Sequence, residues 1–248
     1  MSSTQMPPVE AVLFDLDDTL FDHRHSSRAS LEALRLRYTH FQQSTLDELE
    51  LVRRDILEEI HLQVLAGSIS LHEARITRMQ RLFAQFDQPI SREIAEQIAL
   101  ENQAVYQSSR QAVQGAISLL AALRPHVKIG IVSNNLLQEQ LDKLNFCKLA
   151  PLIDVLVVSE EVGIAKPDPR IFQVALERLD CSPSQAVMVG DSWTTDIVGA
   201  TRMGIRAIWL NRYGTPCPDP SLATEIISLE PTDALVSLLL GTLRRWRC

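Results

Sequence analysis

The chain has 248 residues, 46 % hydrophobic and 22 % charged, the profile of an ordinary globular protein with length for one large or two modest domains. Its net charge of −7, from 24 Lys and Arg against 31 Asp and Glu, excludes a backbone-tracking nucleic-acid binder, which needs a basic stripe. It does not exclude a phosphate-bearing substrate, because a metal and one lysine reverse the field locally.

The first predicted element is the apolar run Val9-Glu10-Ala11-Val12-Leu13-Phe14, which reads as a buried parallel strand. It ends in Asp15-Leu16-Asp17-Asp18-Thr19. Asp15 and Asp17 stand two positions apart, so an extended backbone points both side chains to one side. Burying like charges that close costs several kcal/mol unless a cation or a Lys or Arg compensates. The C-terminal end of a parallel strand is also where open α/β sheets place their ligands. Taken alone, the segment is equally compatible with a solvated Asp-rich turn or a helix N-cap.

A glycine-poor stretch follows, with Gly67 alone before Gly115. Apolar residues recur in it at helical spacing: Leu31, Leu34, Tyr38 and Phe41; Leu49, Val52, Ile56, Ile60 and Val64; Met79, Leu82, Phe83 and Phe86; Ile94, Ile98 and Val105. Four helices with no strand between them predict a small bundle over residues 24–110. His23, His25, His40, His61 and His72 fall in this first third without metal-binding spacing, so no second metal site is expected. Asp22 and His23 lie at the entry to the bundle, where part of a substrate held at the Asp motif would be met.

From Gly115 the pattern alternates in the α/β manner. A helix carrying Ile117, Leu120 and Leu123 precedes the strand Lys128–Val132, which runs into Ser133-Asn134-Asn135. A helix over Leu136–Leu144 precedes the strand Val155–Val158. Lys166-Pro167 comes before a helix over Pro169–Leu179 that Asp168 caps. The strand Ala186–Val189 ends in Gly190-Asp191-Ser192, with Asp196 five residues beyond Asp191. A helix over Thr195–Met203, a strand over Arg206–Leu210, a strand near Ile226–Ser228 and a helix over Asp233–Leu240 complete the chain. Right-handed crossovers make this one parallel sheet with every polar motif at its C-terminal edge. Ser-Asn-Asn is also ordinary turn chemistry, and a lysine before a helix is also an ordinary surface residue. Only Lys128, Lys143, Lys148 and Lys166 are lysines among the 24 basic residues, so a lysine where a compact ammonium suits the site is added support. Trp193 and Tyr213 follow strand ends, where they line either the rim or the core.

In order along the chain, Asp15-x-Asp17-x-Thr19, Ser133 after a strand, Lys166 before a helix, and Gly190-Asp191 with Asp196 resemble the four motifs of the haloacid dehalogenase-like hydrolase superfamily. Within it, the stretch Ser159–Pro167 and Trp209-Leu210-Asn211 are similar to the helical-cap phosphatase branch that holds nucleoside 5′-monophosphatases and N-acylneuraminate 9-phosphatases. The resemblance implies an α/β, Rossmann-like parallel-sheet core over 1–23 and 111–248, with an inserted four-helix cap domain over 24–110. It implies a phosphatase in which Asp15 is the nucleophile and passes through an aspartyl-phosphate, while Asp17 is general acid and then base. Thr19, Ser133, Asn134 and Lys166 would bind phosphate. Asp15, Asp17 (through its carbonyl) and Asp191 would hold Mg²⁺, with Asp196 as an outer partner. A phosphosugar mutase would use the same carboxylates, and a non-catalytic binding protein on this fold would be expected to lack one of them. Dehalogenation is disfavoured, since it uses no second motif Asp.

Met1–Pro8 has no basic segment leading an apolar run, and no apolar run approaches the ~20 residues of a membrane span, so a cytoplasmic protein is expected. Cys147, Cys181, Cys217 and Cys248 show neither Cys-x-x-Cys nor zinc spacing, and are expected to be reduced. The expected partner is a small phosphorylated substrate, with no nucleic acid and no membrane, for a monomer or small homo-oligomer.

Overall fold

The computed structural model describes residues 7–241. The chain divides into two compact units: one runs through Asp22 and resumes at Ala112, the other is His23–Gln111.

The first unit is built on six parallel strands: β1 (Ala11–Phe14), β2 (Lys128–Ser133), β3 (Val155–Val158), β4 (Ala186–Gly190), β5 (Arg206–Leu210) and β6 (Ala223–Ile226), in the order β3-β2-β1-β4-β5-β6. β1 and β4 are buried along their whole length, as strands covered on both faces must be. The order reverses beside β1, so a crevice opens at the carboxyl ends of β1, β2 and β4. Ala11 and Leu13 pack with Val132, Val157 and Met188 against Ile171, Phe172, Ala175, Leu176 and Leu179 of the helix Pro169–Leu179. Asp168 caps that helix and Pro169 opens it, as anticipated from sequence.

The unit's other helices are Ala116–Leu123, Leu137–Phe146, the single turn Ser159–Val162, Val198–Arg202 and Thr232–Leu239. Two local expectations shift. The helix predicted from Thr195 starts as a π-helical turn, Trp193–Ile197, before Val198, and the last strand ends at Ile226 rather than passing through Ser228. Where the chain leaves and re-enters this unit, the Val113 N–H donates to the Leu20 carbonyl at 2.8 Å and Phe21 pairs with Ala112.

The second unit contains the helices His23–Arg37, Leu46–Leu65, Leu71–Ala84 and Arg92–Ser108. Thr45, Ser70 and Ser91 cap the last three, each accepting from a backbone N–H three residues on. Its core joins Leu31, Ile60, Ile76, Phe83 and Ile98. Phe41 stands edge-on to Phe83 at 4.9 Å from a short 3₁₀ turn rather than from the preceding helix. Ile94, expected on the buried stripe, is 52 % exposed, because Ala95, Ile98, Ala99 and Asn102 set that helix's inner face. Arg53 is half-buried here and donates to the Ser27 carbonyl and to Ser30 Oγ at 3.0 and 2.7 Å.

Cys147, Cys181 and Cys217 form no disulfide among the described residues; Cys248, Met1–Met6 and the end of the last apolar run lie outside those residues. No helix among the described residues is long and apolar enough to cross a membrane.

Candidate active site

With α1–α4 the four helices of the second unit, α5 is Ala116–Leu123, α6 Leu137–Phe146, α7 Ser159–Val162, α8 Pro169–Leu179, α9 Val198–Arg202 and α10 Thr232–Leu239. Parallel register brings the candidate residues together: Phe14 is level with Ile131 of β2 and Val189 of β4. The ladder continues one step, with the Asp15 N–H donating to the Val189 carbonyl at 2.9 Å. Asp15, Ser133 and Asp191 therefore emerge at neighbouring strand ends.

Lys166 links them. Its Nζ lies 2.6 Å from Asp15 Oδ1, 2.7 Å from Asp196 Oδ1 and 2.7 Å from the Val132 carbonyl, with 2 % of the side chain exposed. An ammonium buried that deeply needs all its donors satisfied and its charge matched. Its backbone is clamped by Asn134, whose side chain donates to the Lys166 carbonyl at 2.9 Å and accepts from the Lys166 N–H at 2.7 Å. Asp196 is fully buried and also accepts from the Ser192 N–H at 3.0 Å. The close approach requires Gly190: a Cβ there would lie 2.3 Å from Asp196 Oδ2.

Asp191 is positioned from two sides. The Thr19 hydroxyl accepts from the Asp191 N–H at 3.1 Å and donates to Asp191 Oδ1 at 3.5 Å. The Trp209 indole N–H donates to the Asp191 carbonyl at 2.8 Å, and Trp193 packs edge-on against that indole at 5.1 Å. Thr19 and Asn134, expected to bind phosphate, thus turn their side chains to Asp191 and Lys166. Buried polar groups take the nearest partners that satisfy them.

Asp17 faces α6. Lys143 Nζ lies 2.6 and 2.8 Å from its two oxygens, and the side-chain amides of Gln140 and Asn135 donate to Oδ2 at 3.0 and 3.2 Å. The Gln140 amide also donates to Ser133 Oγ at 2.5 Å. Gln140 and Lys143 are missed by motif reading. Their signal is a Gln and a Lys three apart on an amphipathic helix, both buried where apolar residues are expected. At the outer end of the loop, Arg212 pairs with Asp22 at 3.1 Å and donates to the Asp18 carbonyl at 3.3 Å. His23 turns within the helical unit, its Nδ1 2.9 Å from the Tyr106 hydroxyl. Trp193 belongs to the core beside β5, and Tyr213 is 47 % exposed under the Arg212 guanidinium.

Carboxylate oxygens of Asp15, Asp191 and Asp196 lie within 4.8 Å of one another. Burial pushes the Asp15 carboxyl up to about 7, against the pull of Lys166 and with the help of Asp196 and Asp17. Burial also raises Asp191 well above the carboxylate range, with Asp15 and Asp196 adding to it. Burial opposes the charge on Lys166, yet Asp15 and Asp196 hold it protonated beyond the usual lysine range. One ammonium does not balance three acids. All the carboxylate donors are hard oxygens, and a small divalent cation fits both the charge and the donor set.

The family model for haloacid dehalogenase-like hydrolases matches residues 9–204. A 115-residue stretch is 40 % identical to the pyrimidine 5′-nucleotidase YjjG of Escherichia coli, covering 46 % of this chain and about half, 51 %, of that protein. The glyceraldehyde 3-phosphate phosphatase of Methanothermobacter thermautotrophicus is 29 % identical over 82 % of this chain and 86 % of its own. In fold, the chain is similar to the magnesium-bound crystal structure of YfnB from Bacillus subtilis, with a TM-score of 0.73 at 24 % identity, covering 93 % of this chain and 100 % of that one.

Proposed function

Because the chain belongs to the haloacid dehalogenase-like hydrolase family, we propose that it is a Mg²⁺-dependent phosphatase of small phosphorylated metabolites, a nucleoside monophosphate or a sugar phosphate. The observation that carries this reading is the convergence on one point of Asp15 and Asp191, from the ends of β1 and β4, with Lys166 from the segment before α8 and Asp196 from the turn before α9. Relatives named as a pyrimidine 5′-nucleotidase and a glyceraldehyde 3-phosphate phosphatase support the substrate class.

Asp15 and Asp191 would hold the cation, with the Asp17 carbonyl; Asp196 is already engaged with Lys166 and Ser192. When bound, Mg²⁺ supplies charge neutralisation for the phosphoryl group. An oxygen of Asp15 attacks phosphorus as the ester P–O bond breaks, and the departing oxygen takes its proton from the Asp17 carboxyl. Asp17, now a carboxylate, removes a proton from water. That water oxygen attacks phosphorus, the bond to Asp15 breaks, and inorganic phosphate and free Asp15 result. Ser133 and Lys166 counter charge on the phosphoryl oxygens. The Lys166 contact also fixes which Asp15 oxygen is restrained, leaving the other to attack.

The test is a panel of phosphometabolites and p-nitrophenyl phosphate, assayed with Mg²⁺ and with excess chelator. Metal-dependent phosphate release that Asp15→Asn abolishes is expected. Full activity in chelator would overturn the metal assignment, and an active Asp15→Asn variant would overturn the nucleophile.

A further inference from the structure

Two buried residues of α6, one helical turn apart, touch the proposed chemistry only through other side chains. Gln140 is fully buried and Lys143 is 3 % exposed. A lysine removed from water on the inner face of a helix is a costly choice unless its charge has a fixed use. Here both carboxylate oxygens of Asp17 receive it, and Phe21, whose ring centre is 5.2 Å from Nζ, covers it.

The Gln140 amide has two N–H bonds. One goes to Asp17 Oδ2 and one to Ser133 Oγ, while its Oε1 has no hydrogen-bond partner. Rotating the amide would put that oxygen against the Asp17 carboxylate, so its orientation is determined. A serine oxygen that accepts from Gln140 has its own proton left to give elsewhere. Ser133 ends β2, two positions beyond Ile131, which is level with Phe14, so that proton is available to a phosphoryl oxygen at this sheet edge.

We propose that Gln140 and Lys143 are positioning residues: Gln140 orients the Ser133 hydroxyl as a donor to phosphate, and Lys143 fixes the Asp17 carboxylate for its proton transfers. The inference rests on Asp17 being the acid–base group of the phosphatase reading. Neither residue touches substrate. Gln140, bonded to both sides, couples the group that binds the phosphoryl oxygens to the group that moves the proton.

The experiment compares wild type, Lys143→Met, Lys143→Arg, Gln140→Leu, Asp17→Asn and the double variant Asp17→Asn/Lys143→Met, all with Mg²⁺ and with thermal melts. On glycerol phosphate, kcat of Lys143→Met should fall by about 10–100-fold with little change in KM, and Lys143→Arg should recover part of the loss. On p-nitrophenyl phosphate the leaving group departs without a proton, so the first burst of nitrophenolate should stay fast while later turnover slows. Gln140→Leu should weaken inhibition by inorganic phosphate by about 5–30-fold. The double variant should be no slower than Asp17→Asn, because Lys143 acts only through Asp17. If Lys143→Met does not melt cooperatively, Lys143→Gln replaces it in every comparison. A kcat within about two-fold of wild type, or a double variant slowed by the full product of the two single losses, overturns the inference. An Asp17→Asn variant with wild-type turnover overturns the acid–base role of Asp17 on which the inference rests, and absence of phosphate release by wild type overturns the phosphatase reading, each a separate result.

Discussion

Replacing Lys166 with Met removes the only cation within hydrogen-bond distance of both Asp15 and Asp196 among the described residues. The side chains differ little in length, so the change is chiefly one of charge. Asp196 is wholly buried and Asp15 nearly so, and stripping one partner from a buried ion pair costs about 3–5 kcal/mol. For a chain of this size each kcal/mol moves Tm by ~2–4 °C, which gives a fall of ~6–20 °C without metal. The loss depends on pH. The Asp15 carboxyl, already at about 7 with Lys166 present, rises further without it. An acid whose folded pKa lies above its unfolded value stabilises the fold at low pH and loses that contribution as pH rises through the folded value. The fall should therefore be smaller near pH ~5.5, where Asp15 takes a proton, and larger near pH ~8. Mg²⁺ should restore part of it, since the variant presents an unrelieved acidic cluster. Calorimetry at both pH values, in chelator and in Mg²⁺, measures this. A metal-free variant melting within about 2 °C of wild type near pH ~8 would refute the charge accounting.

Gly190→Ala drives a Cβ to 2.3 Å from Asp196 Oδ2; a loss of about 1–3 kcal/mol by thermal melt is expected, together with lower kcat as Asp196 leaves Lys166. Asp15→Asn should abolish turnover while the circular dichroism spectrum is retained, and Asp17→Asn should reduce kcat by about 10²–10⁴-fold. Mg²⁺ must displace protons held by the raised carboxyls of Asp15 and Asp191, so affinity should climb with pH through about 7 and binding should release protons, seen by titration calorimetry in buffers of different ionisation enthalpy. Trp209→Phe removes the donor to the Asp191 carbonyl but keeps an aromatic ring; weaker Mg²⁺ binding with an intact fold is expected from the same calorimetry.

The strands are legible in the sequence because β1, β2 and β4 are buried along nearly their full length, which forces unbroken apolar runs. The site's outline is legible for a related reason: Asp15, Ser133 and Asp191 sit where such runs stop. The order β3-β2-β1-β4-β5-β6 is not written locally, since it depends on which strand each crossover returns to. Ile117 shows the limit of counting apolar residues. Ala116, Leu119, Leu120 and Leu123 define the inner face of α5, leaving Ile117 45 % exposed one step around the helix. Lys143 shows another. Its burial is decided by a carboxylate 126 positions away in the chain, a partnership that no local pattern announces. Thr19 likewise looks like part of the loop beside it, until β4 delivers Asp191 to its hydroxyl.

The hydrogen bond between Val113 and Leu20, beside the pairing of Phe21 with Ala112, ties the chain across the base of the excursion to α1–α4. Topologically the α/β unit is closed at that point, whatever lies beyond it. Loop-closure entropy grows only with the logarithm of loop length, so helices added or removed past such a tie change the cost of assembling the sheet by tenths of a kcal/mol to about one. The excursion is thus free to vary in length and sequence at little expense to the strand ends that carry Asp15 and Asp191. A lineage can replace the helical unit wholesale and inherit the carboxylates unchanged.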